Sequence, residues 1–163
     1  MVARRVLGEI SETPVGLGVF AGSVHLLLPP TADRALLLST LDAADPFILS
    51  ERGTRLALAL EAIRARQEEA RSQEGFGVLI LSDGEDHGNR DQAVSLAREI
   101  QALGGWIAAV SLGSRAGGPV PESLASPRML MSGLDPAEAG GARPHSRPHS
   151  RVDPKFLAEV ATV

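Results

Sequence analysis

Cysteine is absent from the 163 residues, which excludes a disulfide framework, a thiolate metal site and a cysteine nucleophile. Positive charge is in deficit: 16 Lys and Arg stand against 20 Asp and Glu, giving a formal charge of −4. A nucleic-acid partner would need a local basic patch, and with little sign of one no such partner is expected. Long apolar runs are missing as well. The basic start at Arg4 and Arg5 leads into Glu9 and Glu12 instead of an apolar stretch, so no signal peptide is read there. Nothing approaches the ~18 apolar residues of a spanning helix. Nucleotide signatures are lacking too. Gly16 and Gly18 are followed by neither a helix start nor a third glycine, and there is no Walker lysine. Ser82 has no Gly-x-Ser-x-Gly elbow around it and no general base beside it.

What remains is an ordinary globular composition, 44% hydrophobic and 22% charged, in a length that suits one domain over 1–163. Val2, Val6, Leu7 and Ile10 recur at helical spacing. Val15–Phe20 and Ser23–Leu28 read as two short strands joined at Ala21 and Gly22, with Pro29 and Pro30 stopping the second. Thr31 or Asp33 caps a helix through Leu41, and Gly53 and Thr54 open a longer one with Leu56, Ala59, Leu60 and Ile63 on its inner face. Phe76–Leu81 and Trp106–Leu112 are continuous apolar runs, expected as strands covered on both faces. Between them, Asp91–Leu103 has helical periodicity and ends at Gly104 and Gly105.

This alternation predicts an α/β fold, a Rossmann-like, doubly wound and mostly parallel sheet. Residues 115–152 are Gly- and Pro-rich and contain a tandem RPHS repeat, from Arg143 to Ser150. That stretch reads as loop before a short final helix, Lys155–Val160, with Asp153 as N-cap and Pro154 in the first turn.

In open α/β sheets ligands bind beyond the carboxyl ends of the strands. Asp83 falls there, and with Glu85, Asp86 and His87 it forms the densest cluster of ligand-type side chains in the chain. Oxygen donors of this kind suit Mg²⁺, Mn²⁺ or Ca²⁺, and one histidine adds little for zinc. The plainer alternative makes Asp83 and Gly84 a strand-exit turn with Glu85 and Asp86 solvated. Thr54 is the second candidate, its alternative role being a helix N-cap. His25 reads as a packed or edge histidine, and His145 and His149 as residues of a surface loop.

The ordered set Val15–Gly22, Gly53 and Thr54, Leu79–His87 and Val110–Ser114 resembles a von Willebrand factor A (vWA) domain, particularly the bacterial aerotolerance-type subgroup. The resemblance implies a metal-ion-dependent adhesion site built from three loops: an Asp-x-Ser-x-Ser motif after the first strand, a threonine and an aspartate. Thr54 matches the threonine and Asp83 the aspartate, with Ser82, Gly84, Glu85, Asp86 and His87 around the rim. The Asp-x-Ser-x-Ser motif has no counterpart, and Met1 falls in what resembles the helix after it. The family's first strand would lie between Val15–Phe20 and Phe76–Leu81. The expectation is therefore an N-terminally shortened vWA domain. Its sheet either carries two rows of unpaired backbone groups or pairs those strands anew. Each unsatisfied buried group costs roughly 1–3 kcal/mol, so poor folding follows unless the sheet re-pairs.

The function implied by the resemblance is a protein-protein interaction module, not an enzyme. Its adhesion site is partial, and bound Mg²⁺ (or Mn²⁺ or Ca²⁺) is weakened with it. The partner is a protein, engaged through a carboxylate, in envelope-associated complexes with MoxR-type AAA+ ATPases. Such proteins often carry membrane helices outside the vWA segment. The chain as written reads as soluble, in the cytoplasm or at the envelope if a longer native chain carries such helices. The alternatives are a structural or vestigial vWA fragment without metal and, less favoured, a metal-assisted hydrolase using Asp83, Glu85, Asp86 and His87.

Overall fold

Asp33 and Asn89 both sit in extended backbone and accept, on their side-chain oxygens, the amides of Leu36 and Gln92 three residues on. Each starts a helix by satisfying an N–H that has no partner within the first turn. The computed structural model describes residues 2–10, 13–45, 49, 51, 53–70, 75–114, 116–119 and 149–162. Its elements run α1 (Val2–Glu9), β1 (Val15–Phe20), β2 (Val24–Thr31), α2 (Arg34–Ala43), α3 (Leu56–Ala70) and β3 (Phe76–Ser82). Then follow α4 (Arg90–Ala102), β4 (Gly105–Ser111), two-residue strands β5 (Gly118–Pro119) and β6 (His149–Ser150), and α5 (Pro154–Thr162).

β3 and β4 pair in parallel with unbroken register from Phe76 opposite Gly105 to Ser82 opposite Ser111, and α4 is the crossover between them. Side chains alternate across a strand. Val78 and Ile80, with Ile107 opposite Val78, therefore face one way and meet Leu56 and Leu60 of α3, Ile100 of α4, and Phe156, Leu157 and Val160 of α5. Leu60, Ile100 and Val160 are fully buried, and each such side chain contributes roughly 1.5–3 kcal/mol through removal from water.

The other face differs from the sequence expectation of strands covered on both sides. Leu79 is 38% and Trp106 58% exposed. Among the described residues no helix packs on that face of β3 and β4, where Leu81, Ala108 and Val110 are half-buried. The Trp106 indole lies across Gly77, where a Cβ would come within 2.1 Å of Cζ2.

β1 and β2 form an antiparallel hairpin. β2 continues through Pro29 and Pro30 to Thr31, past the expected stop. Among the described residues it pairs only with β1, and prolines are tolerated on an edge strand. Register shifts between Val15 and Gly18 absorb the irregular pairing. The expected 115–152 loop includes one short antiparallel ladder, β5 with β6. His145 and most of the RPHS repeat lie outside the described residues.

Among the described residues, no ladder joins β1 to β3: the hairpin and the parallel pair are separate two-stranded sheets. Phe20 and Val24 nevertheless pack against the core cluster that contains Val78 and Ile80. Helices, a parallel crossover unit and an antiparallel hairpin around one core are the α/β architecture the sequence predicts. No described helix is long and apolar enough to cross a membrane.

Candidate functional site

The carboxyl ends of β1 and β3 meet the same stretch of chain, residues 51 and 53–56. Arg55 donates its amide to the Ala21 carbonyl at 2.9 Å, and Gly22 donates to the Glu51 carbonyl. From the other side, the His87 amide donates to the Thr54 carbonyl at 2.7 Å, and the Thr54 amide donates to His87 Nδ1 at 3.3 Å. These bonds bring Thr54 beside the Ser82–His87 loop, as the sequence places it. They also fix His87, an exposed residue, with Nδ1 as an acceptor.

Thr54 does not cap the helix, which is a correction to its alternative role. Helix α3 begins at Leu56, and the Leu56 amide is received by Asp86 Oδ1 at 2.9 Å. The second Asp86 oxygen is buried without a hydrogen-bond partner. Asp83 Oδ1 accepts the Glu85 amide at 3.1 Å, and Ser82 Oγ accepts the Gly84 amide at 3.1 Å. The loop therefore leaves the strand as two consecutive side-chain-to-backbone turns. Gly84 is buried there at φ +82°, and a Cβ would sit 2.3 Å from the Asp153 carbonyl oxygen. Only glycine satisfies both demands.

The segment before α5 closes the far side. Asp153 donates its amide to the Asp83 carbonyl at 2.8 Å, and the Arg151 amide donates to Glu85 Oε1 at 2.6 Å. Asp153 Oδ1 accepts the Phe156 amide as the α5 cap, and Oδ2 receives Arg90 at 2.8 Å. The Arg90 guanidinium also lies 4.6 Å from the Phe156 ring centre. The Arg90 hydrogen bond, followed by the Phe156 amide, holds the Asp153 carboxyl below the ordinary aspartate range, with desolvation opposing. Asp153 was legible as a cap. Its bond to Arg90, 63 residues away, and the Arg151 contact to Glu85 left no local signal.

All five rim positions and both candidate ligands therefore gather at one end of the molecule. Each of their carboxylates, however, accepts a backbone amide. Asp83 serves Glu85, Asp86 serves Leu56, and Glu85 serves Arg151. Among the described residues no three His, Asp or Glu side chains converge on a common point. Thr54 and Asp83 leave two candidate side-chain oxygens, against the roughly six to eight that Ca²⁺ takes and the additional carboxylates that usually hold Mg²⁺. Among the described residues, these two alone do not make up the donor set of a divalent cation.

Residues 1–85 match the sequence profile described as von Willebrand factor type A domain. Among solved structures, the chain is similar to a conserved hypothetical protein, BatB, from Bacteroides thetaiotaomicron. Identity is 23% and the TM-score 0.77, over 99% of this chain and 72% of that one. It is likewise similar to an aerotolerance-related membrane protein from Bacteroides fragilis. That match has 22% identity and a TM-score of 0.75, over 97% of this chain and 71% of the other. At these identities the likeness concerns the fold. No curated protein sequence matches the chain.

Proposed function

Because this chain belongs to the von Willebrand factor type A domain family, whose members generally mediate protein interactions, we propose that it is a non-enzymatic interaction module. Its binding face is the rim formed by residues 53–55 and 82–88. The observation that carries this reading is the set of hydrogen bonds tying that rim to four neighbouring segments: the β1–β2 turn, the start of α3, the end of β4 and the segment before α5. A face held rigid before contact loses less entropy on binding. Arg55 and His87 are exposed at its centre.

The adhesion site is degenerate in this reading. Thr54 and Asp83 shape the rim, and recognition proceeds by hydrogen bonds and charge instead of a shared cation. The hydrolase alternative is less favoured, because Asp83, Asp86 and Glu85 each already accept a backbone amide. The partner proposed from the resemblance to the aerotolerance-type subgroup is a MoxR-type AAA+ ATPase, in a complex at the envelope.

The test measures binding of the purified chain to a MoxR-type ATPase from the same organism by interferometry. Arg55→Glu is expected to weaken binding by about tenfold or more. Asp83→Asn keeps the acceptor for the Glu85 amide while removing the charge, and is expected to leave binding within about twofold. Loss of binding in Asp83→Asn would restore a cation to the interface. No binding by the unsubstituted chain would favour the structural or vestigial alternative.

A further inference from the structure

We draw no further inference here: the strongest candidate, the apolar sheet face of β3 and β4 around the exposed Leu79 and Trp106, carries none because nothing in the structure shows what covers it.

Discussion

Asp86 Oδ1 receives the Leu56 amide at 2.9 Å, so the first turn of α3 is capped by a residue 30 positions later in the chain. The side chain that resembles the edge of a metal site instead holds a helix to a loop. Asp86→Ala removes this acceptor and is expected to cost about 0.5–2 kcal/mol in denaturant unfolding, whereas Asp86→Asn costs a few tenths, since Asn caps nearly as well. Thr54→Val, at the position the sequence marks as the cap, is expected within about 0.5 kcal/mol of the unsubstituted chain.

Gly84 carries the tightest steric demand of the rim, with a positive φ and the Asp153 carbonyl where a Cβ would be. Gly84→Ala combines a left-handed backbone penalty of roughly 1–2 kcal/mol with displacement of the segment before α5. Unfolding in urea is expected to show a loss of about 2–4 kcal/mol. Amide exchange should accelerate first in α5, which hangs from the same contact.

The Arg90 bond gives the stability a defined pH dependence. The folded-state pKa of Asp153 lies below its ordinary value of 3.8. Its contribution is therefore complete above that value and is lost as pH falls through the folded pKa. The side chain is 32% exposed, so solvent screens the pair and keeps the contribution small. Arg90→Gln is expected to lower the melting midpoint near neutral pH and to converge with the unsubstituted chain in strong acid. A difference that grows as pH falls would contradict the assignment.

Much of the fold was legible because it rests on local rules. Asp33, Pro154 and the periodicity of 91–103 locate helices within a residue or two. What was illegible depends on packing between distant segments. A continuous apolar run such as Phe76–Leu81 gives no sign of which face is covered, and so concealed the exposure of Leu79 and Trp106. Pro29 and Pro30 read as a stop because pairing on one edge only is invisible locally. At the site, the sequence identified the right loop in Ser82–His87. The partners of its carboxylates, Leu56 and Arg151, come from elsewhere in the chain. Local spacing alone cannot separate a ligand from a backbone acceptor.

We propose that hydrogen bonds, not a cation, hold this rim. Thermal melting of the purified chain in EDTA and then in millimolar Mg²⁺ tests it most directly. A cation present at a hundredfold excess over its Kd would add about 2.7 kcal/mol to stability. For a chain of this size that corresponds to a rise of roughly 5–11 °C. The account predicts coincident midpoints. A rise of that order, abolished by Asp83→Ala, would contradict it.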